Sequence, residues 1–250
     1  MRLPVLLQRI GALAVVAGFV ACTPVENSAR RPRSTLVIGI DVSGSFETTG
    51  NYDDAIEFAS HYLYGHINGL GELSVPSAVF VGSVGGERPG ETKSFQPVHA
   101  FRGKSPEEIG VVLRELFPSQ DGFTDFNAFF DRVATLVKRQ SLILAPLNIV
   151  VLSDGIPDLT ARNEDESRYS AIDLGPLEYL SRSVTVRLLY ATPTVSVSWE
   201  RDVDRRRVRI WTVDGDVMGG WREQLAAQGE DDLWKWVQDN VDFRVRSRVF

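Results

Sequence analysis

The sequence has a single cysteine, Cys22, among its 250 residues. One cysteine excludes an internal disulfide, and it equally excludes a metal centre built from several thiolates. A chain of this length can bury a core large enough to be stable without disulfides, so the shortage of cysteine is compatible with an exported domain. The composition, 43% hydrophobic and 24% charged residues, is ordinary for a folded chain and excludes disorder beyond short segments.

Basic charge is also in short supply, because 27 lysines and arginines face 33 acidic residues and leave a net charge of -6. The first 21 residues hold Arg2 and Arg9 but no acid. Without them the balance is 25 basic to 33 acidic residues, or about -8. A mildly acidic domain has no general attraction to nucleic acid or to anionic lipid, and we expect no nucleic-acid partner.

A membrane-spanning run is lacking at the N-terminus as well. The apolar stretch of residues 10–20 is shorter than the ~20 residues that cross a bilayer. With Arg2 and Arg9 supplying a positive start, this stretch is typical of a secretory signal peptide. We therefore predict that residues 1–21 form an export signal.

The end of that signal, Phe19-Val20-Ala21-Cys22, resembles the lipobox of bacterial lipoproteins. The resemblance implies that Cys22 becomes the N-terminus of the mature protein and carries the lipid. Phe19 stands where that family prefers leucine, and an ordinary cleaved signal with an incidental cysteine is the alternative. Thr23 is not the aspartate that commonly retains such lipoproteins in the inner membrane. We therefore expect a lipid anchor in the cell envelope, on the periplasmic side of the outer membrane where the host has two membranes.

A tether and a domain are predicted to follow. Residues 22–34 combine proline, polar residues and three arginines, which indicates a flexible linker. Residues 35–40 (TLVIGI) and 147–152 (LNIVVL) are short runs of β-branched and apolar residues, the pattern of parallel strands buried on both faces. Further strands are predicted at residues 78–84, 94–101, 184–190, 207–213 and 242–249, helices at residues 53–70, 105–117, 125–140, 171–182, 217–228 and 231–239, and a turn region around Gly85-Gly86 and Pro89-Gly90.

This alternation predicts an α/β fold: a doubly wound, mainly parallel, Rossmann-like sheet with helices on both faces. The domain is predicted to span residues 35–250, with the part after Thr192 as a C-terminal elaboration. In such sheets, ligands bind beyond the carboxyl ends of the strands. The two strands with the most buried character both end there in an aspartate, Asp41 and Asp154.

Side chains with hard oxygen atoms gather after these strands. The segment Asp41-Val42-Ser43-Gly44-Ser45 follows the first strand, and we expect Gly44 to supply backbone angles that other residues resist. Thr124 opens a later helix, and Asp154 follows the strand of residues 147–152. Carboxylate and hydroxyl oxygens suit Mg²⁺, Mn²⁺ or Ca²⁺ far better than Zn²⁺ or copper.

These five residues resemble the metal-ion-dependent adhesion site of von Willebrand factor type A domains. That family has an Asp-x-Ser-x-Ser motif after its first strand, a threonine in a later loop and an Asp-Gly after its fourth strand, and residues 35–190 match this order and placement. The resemblance implies that the hydroxyls of Ser43, Ser45 and Thr124 ligate the metal directly, with Asp41 and Asp154 acting directly or through water. It also implies an open coordination position that an acidic side chain of a protein partner fills.

A non-enzymatic binding module is therefore the leading interpretation, and two other functions stay open. Metal-dependent phosphohydrolases can also begin with an aspartate after the first strand. They usually need a second aspartate two residues later as acid/base, where this chain has Ser43, which does not exchange protons usefully near neutral pH. A metal-stabilised scaffold of an envelope complex is not separable from a binding module by sequence, and the five residues could also only cap turns and helices.

The remaining candidates favour structural roles. Asp53 and Asp54 are predicted to be acids at a helix N-terminus, and His61 and His66 are five residues apart rather than the four that align two metal ligands. The run Arg205-Arg206-Arg207 is predicted to form surface salt bridges with nearby acids. The five tryptophans of the C-terminal part are predicted to be core or docking aromatics, with a binding patch as the alternative: Trp199, Trp211, Trp221, Trp234 and Trp236.

Overall fold

The computed structural model describes residues 34–86, 93–119, 122–158, 167–227 and 230–242. The predicted signal peptide, Cys22 and the tether up to residue 33 lie outside these ranges, as does the predicted turn at Pro89-Gly90. The strand predicted at residues 242–249 also lies outside them, apart from Asp242.

A six-stranded sheet forms the centre of the described chain. The strands of the described ranges are β1 (Thr35–Ile40), β2 (Ala78–Ser83), β3 (Gly85–Gly86), β4 (Gln96–Pro97), β5 (Phe123–Thr124), β6 (Leu147–Leu152), β7 (Val184–Ala191) and β8 (Val208–Asp214). The sheet has the order β4-β2-β1-β6-β7-β8, and its neighbours are parallel except β4, which is antiparallel to β2. The short strands β3 and β5 pair with each other in antiparallel fashion.

Helices connect these strands. They are α1 (Gly44–Thr48), α2 (Asn51–Asn68), α3 (Pro106–Leu116), α4 (Phe126–Arg139), α5 (Pro193–Asp202), α6 (Gly215–Gly219), α7 (Trp221–Ala227) and α8 (Glu230–Asn240). Helix α3 begins as its Ser-Pro-Glu-Glu sequence predicts. The Ser105 hydroxyl accepts from the Glu108 N–H at 3.3 Å, and the Glu108 carboxylate accepts from the Ser105 N–H at 2.8 Å.

Alternate residues of the strands pack into two hydrophobic clusters. Leu36 and Ile38 of β1 belong to a cluster with α2, α3 and α8, whereas Val37 belongs to a cluster with α4 and α5. The strands are buried almost throughout, and β1 is buried at every position. The predicted α/β class and the mainly parallel sheet are therefore confirmed.

The register of the sheet defines two edges. Ile40 lies opposite Ser83 of β2 and Leu152 of β6, so the loops after these strands emerge together, at what we term the carboxyl edge. At the other end, Thr35 lies opposite Ala78 and Leu147, and this end is the amino edge. Since β1 has six residues at about 3.3 Å each, the edges are about 20 Å apart.

The helix predicted at residues 171–182 is wrong. The segment contains only 3₁₀ turns at Arg168–Ala171 and Gly175–Leu177. The Asp173 carboxylate accepts from the Gly175 N–H at 2.8 Å and closes a tight local turn, and Pro176 has no N–H to extend a helix. Local side-chain bonding therefore outweighs the helical spacing of apolar residues.

Two other predictions fail in part. The strand predicted at residues 94–101 shortens to β4 and a 3₁₀ turn at Val98–Ala100, because Pro97 has no N–H with which to continue the ladder. Gly85-Gly86, predicted as a turn, forms β3. Helices α1 and α5 were not predicted, although Thr192 caps α5 by accepting from the Val195 N–H at 3.4 Å and a proline follows it.

No helix among the described ranges is both long enough and apolar enough to cross a membrane.

Candidate metal site

Asp41 lies at the point where β1 leaves the sheet. Its N–H donates to the Leu152 carbonyl at 2.9 Å and thereby ties the end of β1 to the end of β6. The side chain is completely buried. One carboxylate oxygen accepts from the Ser43 N–H at 3.0 Å, and the other accepts from the Ser153 hydroxyl at 2.5 Å. The carboxylate is therefore fixed between the loops that follow β1 and β6.

The two serines of the Asp-x-Ser-x-Ser segment lie at the start of α1. Ser43 caps this helix, because its hydroxyl accepts from the Phe46 N–H at 3.4 Å. The hydroxyl oxygens of Ser43 and Ser45 are 3.1 Å apart. Phe46 is buried edge-on against Tyr190, with the ring centroids 5.9 Å apart. This anchor holds the first turn of α1, and with it both hydroxyls, close to Asp41.

Asp154 follows β6 at the same edge and is 5% exposed. One of its carboxylate oxygens accepts from the Ile156 N–H at 3.0 Å. The preceding residue, Ser153, accepts from the Gly155 N–H at 2.9 Å while it donates to Asp41. The loop after β6 therefore holds its own aspartate and positions the aspartate of the neighbouring strand.

Thr124 is brought to this edge by two separate contacts. Strand β5 pairs with β3 so that Thr124 lies opposite Gly85, directly after the end of β2. The Thr124 N–H donates to the Asp158 carboxylate at 2.8 Å, and the Asp158 N–H donates to the Thr124 carbonyl at 3.1 Å. Asp158 belongs to the loop of Asp154, so this double link joins the loops that carry the two residues.

The Thr124 hydroxyl is buried without a hydrogen-bond partner among the described residues. A buried hydroxyl that forgoes water and gains no partner costs about 1–3 kcal/mol. Such a group requires an explanation, and an unmodelled ion is one of the standard explanations.

The electrostatics of the two aspartates point the same way. Burial raises the pKa of Asp41 to about 6; the hydrogen bonds from Ser153 and Ser43 oppose this rise, and the charge of Asp154 adds to it. Burial also raises the pKa of Asp154, the Ile156 N–H opposes the rise, and the charge of Asp158 adds to it. Both carboxylates thus lie where a positive charge would be favourable.

A divalent metal fits these residues by the chemistry of its donors. Two carboxylates and three hydroxyls are the ligands of a hard cation, and the unpartnered Thr124 hydroxyl is the atom for which the protein alone offers no bond. Within the described ranges, no three His, Cys, Asp or Glu side chains group as a metal site. The candidate set has only two such side chains, Asp41 and Asp154.

Sequence reasoning missed Ser153 and Asp158. Both act on other residues of the site: Ser153 orients Asp41, and Asp158 holds Thr124. A polar residue directly after a buried strand was a usable signal for Ser153. Asp158 carried no such signal, because its partner is 34 residues away in the sequence.

The special backbone of the site is at Gly155 and not at Gly44, so the expectation for Gly44 was wrong. Gly44 lies in α1, outside the left-handed region, and a Cβ there would meet nothing within 4 Å. Gly155 has φ +77°, and a Cβ there would lie 2.5 Å from Leu188 and 3.0 Å from Val195. Its carbonyl accepts from the Trp199 indole at 2.7 Å. Only glycine lets the loop of Asp154 pass this close to β7 and α5.

We expect Gly155→Ala to destabilise the protein by about 2–4 kcal/mol, which combines a left-handed alanine with overpacking. The measurement is the free energy of unfolding in urea. Gly44→Ala is the matched control, because it changes the other glycine of the candidate site where there is room for a methyl group, and it should be neutral or slightly stabilising. Equal losses in the two variants would contradict this account.

The other sequence candidates lie elsewhere. His66 is buried and bonds the Ser74 carbonyl and Asp242. Asp54 does more than begin a helix, since its carboxylate accepts from Tyr190, Trp221 and Arg222 at 2.6–3.1 Å. Trp199, Trp221 and Trp234 are core residues, whereas Trp211 and Trp236 are partly buried.

The predicted salt bridges of Arg205-Arg206-Arg207 take another form in the described chain. Arg205 donates to the backbone carbonyls of Glu200 and Val203. The Glu178 carboxylate accepts from the backbone N–H groups of Arg206 and Arg207 at 2.7 and 2.6 Å. This leaves the guanidinium groups of Arg206 and Arg207 on the exposed surface.

Comparison with known proteins identifies no family. No protein-family model matches the chain, and no curated protein sequence matches it. Among solved structures, the pilus adhesin SpaC from Lactobacillus rhamnosus GG in its open conformation is similar at 19% identity over 50% of this chain and 15% of the adhesin, with a TM-score of 0.33. A second structure of that adhesin gives 21% identity, 52% and 16% coverage and a TM-score of 0.36.

Proximal thread matrix protein 1 from the mussel byssus is similar at 11% identity over 78% of this chain and 48% of that protein, with a TM-score of 0.45. The chain thus spans about half of the mussel protein and about a sixth of the adhesin. Likeness at this level carries no conclusion about function.

Proposed function

We propose that this protein is an envelope-anchored binding module of the von Willebrand factor type A kind, with a doubly wound sheet. Asp41, Ser43, Ser45, Thr124 and Asp154 would hold Mg²⁺, Mn²⁺ or Ca²⁺, and an acidic side chain of a protein partner would complete the coordination. When bound, the metal supplies a positive charge with an open position. The chain itself supplies the ligands and fixes them.

The buried, unpartnered hydroxyl of Thr124 carries this proposal. If the polar residues of the site only capped turns, Thr124 would be expected to have a partner, as Ser43 has in the Phe46 N–H. The loop of Thr124 is instead clamped to the loop of Asp154 through its backbone, which leaves the hydroxyl available to an ion.

Partner binding that depends on the metal is the test of this function. The lipidated protein is isolated from native membranes with its associated proteins, in Mg²⁺ or in EDTA. We expect EDTA and Thr124→Ala each to release the same partner, because an acidic side chain would bind the protein through the metal. Gly44→Ala, which meets no neighbouring atom, should keep the partner. A partner retained equally in EDTA would favour the scaffold alternative and contradict the binding module.

Anchoring through Cys22 is tested separately. We expect the wild-type protein to partition into the detergent phase, and Cys22→Ser to move it to the aqueous phase or leave the precursor uncleaved, because Cys22 is the only cysteine available for lipid attachment. Phase separation followed by mass spectrometry of the mature N-terminus measures both effects. A wild-type protein found in the aqueous phase with another N-terminal residue would disprove the anchor.

A further inference from the structure

The amino edge of the sheet is the place where the domain receives the tether. Ser34 is the first described residue, and its carbonyl accepts from the N–H and the hydroxyl of Ser77 at 2.8 and 3.0 Å. The next N–H, that of Thr35, donates to the Pro146 carbonyl at 2.8 Å. The chain therefore enters the domain beside the loop of residues 141–146, which leads into β6.

That loop exposes large apolar side chains. Ile143 is 47% exposed and Leu144 is 74% exposed, and the Leu144 N–H donates to the Leu180 carbonyl at 2.8 Å in the loop before β7. The neighbouring Tyr179 is 72% exposed. Leu144 has φ +77°, a conformation that leucine rarely adopts. The loop thus bears a local cost to present a side chain that gains nothing from water.

Exposed basic side chains surround these apolar residues. The Arg207 guanidinium lies 5.5 Å from the centroid of the Tyr179 ring. The other members of this basic rim lie at the end of α4 and in the loops before β7 and β8: Lys138, Arg139, Arg182 and Arg206. The acids nearby are fewer, since Glu178 is buried under two backbone N–H groups and Asp204 and Glu72 are exposed.

Charge is therefore distributed unevenly between the two edges. The carboxyl edge holds Asp41, Asp154 and Asp158, whereas the amino edge has the basic rim and receives a tether that ends in Arg30, Arg31 and Arg33. The net charge of -6 hides this polarity. An attraction to anionic lipid that the whole chain does not have is available to one edge of it.

We infer that the amino edge is a membrane-docking surface: Ile143, Leu144 and Tyr179 enter the headgroup region of a bilayer, and the surrounding lysine and arginines contact anionic lipid. This inference rests on the proposed anchor at Cys22. Aromatic and aliphatic side chains ringed by basic residues are the composition that partitions into membrane interfaces. The candidate metal site would then face away from the membrane, about 20 Å from the docking edge.

The length of the tether supports a bilayer as the occupant. The 12 residues from Thr23 to Ser34 have a root-mean-square span of about 20 Å as a flexible chain and reach about 40 Å when fully extended. A lipid on Cys22 therefore keeps the amino edge within a short distance of the membrane surface, where even weak attraction is effective because the local concentration is high.

The test compares two positions in the full-length protein purified from membranes and reconstituted into phosphatidylcholine vesicles, with or without phosphatidylglycerol. Leu144→Cys and the matched control Val217→Cys each carry an environment-sensitive fluorophore. Val217 is also an exposed apolar residue, 42% exposed, but it lies in α6 after the carboxyl end of β8. We expect a blue shift, and several-fold stronger quenching by nitroxide-labelled lipid, at Leu144 only and mainly with phosphatidylglycerol.

Charge removal gives a second measure. A double variant, Arg206→Gln with Arg207→Gln, should weaken the contact at Leu144 in phosphatidylglycerol vesicles about fivefold per charge, which corresponds to about 1 kcal/mol for each basic residue near an anionic surface. The same variant should change little in neutral vesicles.

Flotation of the vesicles reports attachment and the fluorophore reports contact, so the anchor and the docking surface fail separately. Protein that floats with Leu144 as quenched as Val217 overturns the docking surface and leaves the anchor. Protein that does not float by itself but shows the shift at Leu144 on mixing with vesicles overturns the anchor and supports the docking surface. A shift at Leu144 that grows with protein concentration without lipid assigns the surface to a second copy of the chain and overturns the inference.

Discussion

Millimolar Mg²⁺ or Mn²⁺ is expected to raise the melting temperature of the wild-type protein, and Asp41→Ala is expected to lose most of that gain. A ligand that binds only the folded state adds about 2.7 kcal/mol when its concentration is a hundredfold above its dissociation constant. Asp41 is the completely buried anion of the candidate site, so its removal takes away the charge that would hold the cation. Melting curves in EDTA and then in each cation measure the difference.

Thr124 provides the control for this experiment. Thr124→Ala removes one neutral ligand and should lose part of the metal-dependent gain, whereas Thr124→Ser keeps the hydroxyl and should retain it. In EDTA, Thr124→Ala should be no less stable than wild type from hydrogen bonding, because the hydroxyl has no partner there. If wild type and Asp41→Ala respond identically to every cation, the metal site is disproved and the cluster only caps turns.

The pH dependence of the metal-free protein follows from the same carboxylate. Burial raises the pKa of Asp41 to about 6, above its ordinary value of 3.8. The folded state therefore takes up a proton between about pH 4 and 6 that the unfolded state does not, and this group adds stability as the pH falls through that range. Its charged form costs the folded state on the order of 3 kcal/mol at pH 7. Asp41→Ala should lack this dependence in EDTA.

The sequence predicted the elements of the sheet well because their physical cause is local. Buried parallel strands such as β1 and β6 are short apolar runs, and a parallel arrangement sends their carboxyl ends to one edge. The positions of Asp41 and Asp154 at a shared edge follow from these two facts alone. The fixed order of Ser43, Ser45 and Thr124 relative to the strands could be read in the same way.

The rest depended on contacts between distant residues. Gly155 needs its left-handed conformation because Leu188 and Val195 approach it, which no local pattern reveals. The predicted helix at residues 171–182 failed because an aspartate side chain competed with the helical backbone. The polarity of the two sheet edges was also invisible in the net charge, since it arises only when loops far apart in sequence meet at one end of the sheet.

A buried ionic cluster is the clearest case of such long-range assembly. Arg187 of β7 is 2% exposed, and its guanidinium donates to the Val241 carbonyl at 2.8 Å and lies 3.9 Å from the Asp242 carboxylate. Asp242 also accepts from the Tyr62 hydroxyl and from His66, each at 3.0 Å. The cluster ties the end of α8 to the sheet and to α2. A charged residue in the middle of a buried strand gave no sign of partners so far along the chain.

Arg187→Met is expected to destabilise the protein by about 3–5 kcal/mol, because it removes one partner of a buried charge set and leaves the Asp242 carboxylate and the Val241 carbonyl less compensated. Urea unfolding at pH 7 measures the loss. Arg209→Met is the matched control: Arg209 lies on the neighbouring strand β8, opposite Thr185, and is exposed, so its loss should stay within about 0.5 kcal/mol. Equal unfolding free energies for the two variants would disprove a stabilising role for the cluster.

Acid should separate wild type from Arg187→Met further. Burial alone would raise the pKa of Asp242, but His66, Arg187 and Tyr62 together outweigh it and hold that pKa below its ordinary value of 3.8. The stability from this carboxylate is therefore fully present above about pH 4 and is lost only as the pH falls through the lowered folded-state value. Without Arg187 the pKa of Asp242 rises, so the acid loss of stability should begin at a higher pH in the variant. A curve of unfolding free energy against pH that is merely displaced downward, with its acid limb unmoved, would mean that Arg187 acts through packing and not through its charge.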